Sequence, residues 1–555
     1  MADYILSIEQ LSYQLRLNSK EGLRTWFKLA DVGEKELSNL LPAEIDEYVG
    51  QYDVETQCEI LIRIARIETD AHHFKQSLGY WDRVEKLGRK ENQGKWVVEA
   101  LVGKFNASWQ VDPDKALTKY LLPAKTLSEK TVPDAIARVY YEIGFAYRQM
   151  QDMRSAIKWY EKAIREFRNR PEDDPLEAIL LNDTGYVYAQ LGRWGEATKY
   201  LNAALDIRED KLARAASLIE SAKHEEEDSL RRAQSELAIF VGMSHNTLGE
   251  FHRHAENLDQ ALMNYDNAYI IFSNENNYYW QAKSLGGRGE TYRRLALVAK
   301  TQNNKKYEDY VEKARIDMEE SLYLCKKHQL DDERDTAYRR LGRLSHDFAL
   351  AALNQNEIVL AQKKLEGAYE YFTRGFDDAK KTKEVLEELE NITEMAFLLD
   401  DAIEVFGKNQ VPDHYNNALG ELENTLKKHA NDKPRIHQFP VFEALLKLEQ
   451  GAVMLANGDY NDSMKYYLEG YKALGTSPGY GVARYKQHFD HFKAQILKLP
   501  DKEKKYWCNK FIETWKKTLV PGTGNRTLAD DDLNPDLVKW CNKLLKELSN
   551  NIGLK

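Results

Sequence analysis

Apolar residues recur at three- and four-residue spacing along nearly the whole chain, with short polar turns between the runs. That period belongs to helices with one buried face. No segment shows the strict alternation of a half-buried strand, so the pattern predicts an all-α protein. The pattern also repeats. Gly144 is followed by Tyr147, Ala156, Tyr160 and Ala163, at offsets of 3, 12, 16 and 19. The same ladder returns as Gly185, Tyr188, Ala197, Leu201, Ala204, and as Gly249, His252, Ala261, Tyr265, Ala268. It returns again as Gly451, Met454, Ser463, Tyr467, Gly470, with a faint early copy at Ala65, Glu68, Ser77, Trp81, Val84. Two copies carry insertions between their halves: Gly289 and Tyr292 with Ala314, and Gly342 with Ala361, Leu365 and Ala368.

The spacing has a packing logic. A glycine inside a helix costs about 1 kcal/mol relative to alanine, so its recurrence needs a reason. A glycine on one helix and an alanine twelve residues on, past a turn, let two helix backbones approach closely. The large residue at offset 16 then fills the space beside the contact. Gly144, Ala156, Gly185, Ala197, Gly249, Ala261, Gly289, Gly342 and Gly451 are the expected contact points.

These ladders resemble the tetratricopeptide repeat, and LLNDTGYVYAQLGRWGEATKYLNAALDIRE resembles the longer repeats of the kinesin-light-chain type. The 41-residue step from Gly144 to Gly185 suits that longer class. The resemblance implies an all-α, right-handed α-solenoid of helix–turn–helix repeats, with irregular helical regions at both ends. The repeats divide the chain into a degenerate helical region at 1–130 and a core at 131–375. A region at 376–500 ends in a repeat at 442–474, and a helical cap follows at 501–555. The charged stretch 208–236 reads as lengthened helix ends or a protruding partner-binding helix, and 301–313 lengthens another pair.

In this family the first helix of each pair lines a concave groove. Its inward positions, carried onto this chain, are Arg138, Tyr141, Phe145 and Arg148 in one repeat and Asn182 and Tyr186 in the next. Asn246 and Arg253 follow, then Arg293 and Arg294, then Arg339 and Arg343. The resemblance gives Asn182 and Asn246 the role of holding a ligand's backbone, since an amide both donates and accepts. Arginine forks suit carboxylates, so the expected ligand is a partner protein or peptide with acidic residues. The same arginines could instead pair with Glu142, Glu250 and Glu290. The lysine–asparagine clamp that related proteins use for chaperone tails is not reproduced.

Composition narrows the function further. Of 555 residues, 43% are hydrophobic and 30% charged, with a net charge of −10. This is enough apolar surface for a core and the wrong sign for a nucleic-acid partner. No membrane span and no signal peptide are expected. Cys58, Cys325, Cys508 and Cys541 form no CxxC pair, which fits a reducing, cytoplasmic setting. WCNK occurs at 507–510 and again at 540–543, each cysteine beside a tryptophan on an apolar face, and reads as core. The segment 520–535 lacks the GxxxxGK[ST] phosphate pattern and reads as a loop before a helix with Pro535 at its first turn. His245 and His252 fall on repeat packing positions, while His72, His73, His488 and His491 lack a third ligand. No catalytic residues, metal or cofactor are expected. The chain reads as a non-catalytic scaffold or adaptor, with a ligand-switched regulatory sensor as the alternative and an enzyme with a helical cleft as a third reading.

Overall fold

The computed structural model describes residues 2–17, 19–32, 40–71, 73–109, 112–150, 152–167, 175–221, 224–302, 304–382, 384–430, 439–476, 493, 496–497, 499–518 and 534–550. Among the described residues every regular element is helical. The expected loop before Asn534, and the helical face with His488 and His491, lie outside them. The chain forms two compact units, Met1–Leu176 and Glu177–Lys555.

Unit 1 opens with α1 (Ala2–Leu17), α2 (Ser19–Val32) and α3 (Leu41–Asp46). Next come α4 (Val54–Asp70), α5 (Phe74–Lys90) and α6 (Gly94–Asn106). A short helix, Pro113–Ala116, passes through a π-helical turn, Leu117–Leu121, into α7 (Leu122–Thr131). The unit closes with α8 (Ile136–Gln149) and α9 (Met153–Phe167). Asp53 caps α4 by accepting from the Thr56 amide at 3.0 Å, which satisfies one of the helix's orphan donors. Two apolar clusters hold the unit: one includes Leu11, Trp26, Ile45 and Trp81, the other Phe105, Leu121 and Ile143.

Unit 2 contains α10 (Pro175–Gln190), α11 (Trp194–Ser221), α12 (His224–His254), α13 (Leu258–Asn274) and α14 (Tyr278–Thr301). It continues with α15 (Tyr307–Lys327), α16 (Asp331–Asn354), α17 (Ile358–Thr382) and α18 (Val385–Ala396). The last helices are α19 (Leu399–Phe406), α20 (Asp413–Lys428), α21 (Phe439–Ala456), α22 (Tyr460–Thr476), α23 (Asp501–Thr518) and α24 (Asn534–Asn550). The charged stretch 208–236 is helical where described: it lengthens α11 and α12 to 28 and 31 residues. Buried Arg208 ties the two together at the base of this extension, donating to the Phe240 carbonyl at 3.1 Å and Ser244 Oγ at 2.6 Å. Trp507, Cys508 and Cys541 are buried in one apolar cluster, as their spacing predicts.

The glycine contacts follow the repeat. A Cβ on Gly144 would strike the Tyr160 ring, and one on Gly185 would lie 2.6 Å from Leu201 Cγ. On Gly249 it would lie 2.9 Å from the Tyr265 ring. Where serine replaces the alanine at offset 12, its hydroxyl donates to the facing helix: Ser77 to the Ala65 carbonyl at 2.8 Å, Ser463 to the Gly451 carbonyl at 2.6 Å. Several pairs also share one left-handed turn, with positive φ at Asn92, Gly192, Glu256, Asn276, Gln329, Asn356 and Gly458. The next amide bonds back across the helix end, as in Gln93 to the Gly88 carbonyl at 2.8 Å and Leu330 to the Cys325 carbonyl at 2.9 Å. This closes the helix C-terminus.

One register differs from the sequence expectation. Gly342 meets the Phe372 ring, seven residues beyond the expected Leu365. Helices α16 and α17 have 24 and 25 residues. In an antiparallel pair, residues equally far from the turn meet. Leu365 lies too close to the turn at Gln355–Glu357 to reach Gly342, although it remains buried.

Candidate functional site

In unit 1 the first helices of successive pairs, α4, α6 and α8, share one face. Glu99 of α6 stitches them together, accepting from Arg66 of α4 at 2.8 Å and from Arg138 of α8 at 2.7 Å. These groups border a cavity of 350 Å³, where Arg63, Arg66, Lys95 and Arg138 stand against Glu59 and Glu99. Phe27 and Trp96 form its apolar walls, with Lys95 Nζ 4.8 Å from the Trp96 ring centre. Burial, then the neighbouring Arg66 charge, lowers the Arg63 pKa.

Further along the same helices lies a second cavity of 470 Å³. Thr69 and Asp70 of α4 line it, with Asn106 of α6 and Tyr141, Glu142 and Phe145 of α8. Phe74 and Trp109 complete its wall. Trp109 meets Phe145 edge-on at 5.3 Å, and Tyr141 stacks on Tyr160 at 5.8 Å. The Arg148 guanidinium stands 5.1 Å from the Phe145 ring centre. Glu142 is only 8% exposed.

Unit 2 arranges its charges differently. Arg293 holds Glu290 at 2.8 Å and also Asp347. Arg294 donates to the Arg253 carbonyl at 3.0 Å and to Glu256 at 3.3 Å. Arg339 holds Glu387 at 2.5 Å and Glu390 at 3.0 Å, and Arg343 holds Glu394. Burial works against ionised Glu250, but the His254 hydrogen bond and the charges of His254, Arg253 and Lys283 outweigh it, bringing its pKa down to about 2. Burial and then Arg253 lower Arg294 to about 10. The arginine band is present, and each of these cations already has a partner within the chain. Asn246 Oδ1 accepts from Ser284 Oγ at 3.1 Å, whereas the buried Asn182 Oδ1 has no hydrogen-bond partner. Tyr186 is half-buried on the same helix as Asn182.

The structure thus places Arg138 at one cavity and Tyr141 and Phe145 at the other, with Arg148 against Phe145. Reading the inward positions in the strong repeats alone missed the walls given by α4 and α6. The faint copy carried the signal. With Ala65 in the glycine's place, the same positions are Glu59, Ile62, Arg66, Thr69 and Asp70, and all five line the two cavities. The acids that hold the unit 2 arginines, such as Glu387 and Glu394, come from a helix outside the clear repeats. Among the described residues no group of three or more His, Cys, Asp or Glu could hold a metal ion. Among them, no helix is long and apolar enough to cross a membrane.

Stacked antiparallel helix pairs with small-residue contacts define a helical-repeat protein. Residues 135–210 match the family model of the tetratricopeptide repeat, so this part of the chain carries tetratricopeptide-type repeats. Solved structures similar to it include the apo form of RapI, 18% identical, covering 60% of this chain and 99% of that one, at a TM-score of 0.36. A Rap protein complexed with competence and sporulation factor is 12% identical, covering 75% and 97%, with a TM-score of 0.44. Aspartyl phosphate phosphatase F from Bacillus subtilis is 12% identical, covering 76% and 94%, with a TM-score of 0.41. No curated protein matches the chain.

Proposed function

We propose that this chain is a non-catalytic interaction protein, a scaffold or adaptor, that takes a segment of a partner protein or peptide on the shared face of α4, α6 and α8. The observation that carries this reading is the pair of adjoining cavities on that face, walled by charged and aromatic side chains from three successive first helices. Both volumes fall within the range of about 300–1,000 Å³ common to ligand sites. Aromatic and arginine side chains are also the residues that most often anchor interfaces. Arg138 is the group for an acidic residue of the partner; Tyr141, Phe145 and Arg148 are the groups for the rest of the segment. In unit 2 the arginines Arg293, Arg294, Arg339 and Arg343 are held by the chain's own groups and shape its surface. The four free, buried thiols suit a reducing, cytoplasmic setting.

The test uses the full chain as bait in its native host. Bound proteins are identified, and the strongest is produced pure for titration. Arg138→Glu and Phe145→Ala, each with unchanged helicity and melting temperature, are expected to lower its affinity at least tenfold. A partner held equally well by both variants would remove the functional assignment of this face.

A further inference from the structure

The two cavities of unit 1 are opposite in character and lie along one axis. Arg66, Glu99 and Arg138 meet at one end; Asp70, Asn106 and Phe145 border the other. Residue numbers rise in the same direction on all three helices, so α4, α6 and α8 run parallel along this face. The first end sets four cations against two carboxylates. The second presents the carboxylates Asp70 and Glu142 inside an aromatic wall. Arg148 already places a guanidinium 5.1 Å from the Phe145 ring centre at that wall, a cation–π arrangement.

The helix dipoles add to this polarity. Lys95 and Arg138 lie in the first turns of α6 and α8, where the helix end is partly positive. Asp70 and Asn106 are the last residues of α4 and α6, where it is partly negative. The starts of α6 and α8 therefore favour an anion at one end of the face, and the ends of α4 and α6 favour a cation at the other. Arg63 and Asp70 are seven residues apart on α4, a rise of about 10 Å. An extended peptide covers that distance in about three residues.

Building on the reading of this face as a peptide site, we propose that its ligand is an extended peptide carrying a carboxylate and a cationic side chain about three residues apart. The carboxylate enters the cavity of Arg63, Arg66 and Arg138. The guanidinium or ammonium enters the aromatic cavity of Asp70 and Glu142. A purely acidic segment fills only the first.

The test is a set of fluorescein-labelled, end-blocked hexapeptides in an alanine–serine background, titrated by anisotropy into the full chain. One Glu and one Arg are placed one to five residues apart, in both orders, with Glu-only and Arg-only controls. Peptides with a separation of about three are expected to bind at least tenfold more tightly than those with adjacent charges and than either control. Replacing Arg by citrulline should remove that advantage, and Glu142→Gln should make the chain indifferent to the replacement. Asp70→Asn, at an exposed position, gives the same readout without touching the core. Arg138→Met should make it indifferent to Glu against Gln. Affinity that follows total charge without regard to spacing would overturn the proposal, as would wild-type discrimination in Glu142→Gln and Asp70→Asn. If a natural partner is still lost on Arg138→Glu while no spacing preference exists, only this inference fails. If that partner ignores the face as well, the functional reading falls with it.

Discussion

At the scale of single residues, the recurring glycine is a distance constraint between two helices. The Tyr160 ring occupies the space where a Gly144 side chain would go, so Gly144→Leu is expected to destabilise the chain by about 1–3 kcal/mol through overpacking. An unchanged melting temperature would refute that contact. The left-handed turns allow the opposite prediction. Gln329 is exposed and holds φ of 54°, a conformation that costs a side-chain-bearing residue about 1–2 kcal/mol. Glycine relieves that strain but loses about 0.4–1 kcal/mol through its freer unfolded chain. Strain relief wins, so Gln329→Gly should stabilise by about 0.5 kcal/mol, read as a small rise in denaturation midpoint. That Arg138, Tyr141 and Phe145 share one helix face was legible from position within the repeat. The partners of Arg293 and Arg343 were not, because Asp347 and Glu394 lie more than 50 positions away in sequence and only packing brings them near.

At the scale of helices, charge pairs such as Arg339 with Glu387 tie neighbours together, and one buried carboxylate makes stability depend on pH. Asp335 of α16 is buried, and burial followed by the Glu387 carboxylate raises its pKa to about 7, against the opposing charge of Arg339. In the unfolded chain the group titrates near an ordinary value of about 3.9. The folded state therefore holds a proton that the unfolded state has released, and stability falls as pH rises from about 4 to 7. Asp335→Asn should flatten that decline and raise the melting temperature above wild type at pH of about 8. Parallel pH profiles for the two proteins would show that Asp335 does not carry it. The helices themselves were legible because their apolar period is local. The slide of α17 against α16 was not, since it depends on both helix lengths at once, and the insertion obscured where the turn falls.

At the scale of the whole molecule, helical repeats contact mainly their neighbours, so stability is a sum of local parts. The two clusters of unit 1 lie between Ile8 and Met150, within that unit. A fragment of residues 1–176 is expected to be helical and to unfold cooperatively, and the full chain to unfold in more than one step. A fragment with no thermal transition would contradict that division. The sequence alone determined the helical class, the repeat and the glycine contacts, because helix period and close backbone approach are written in neighbouring residues. Tertiary structure decided which acids the arginines meet and which side chains wall the cavities. In unit 2 the arginines meet acids from distant helices. In unit 1 a fainter repeat supplies the opposite walls of two cavities. Charge neutralisation depends on distance in space, and the spacing of residues along a chain does not encode it.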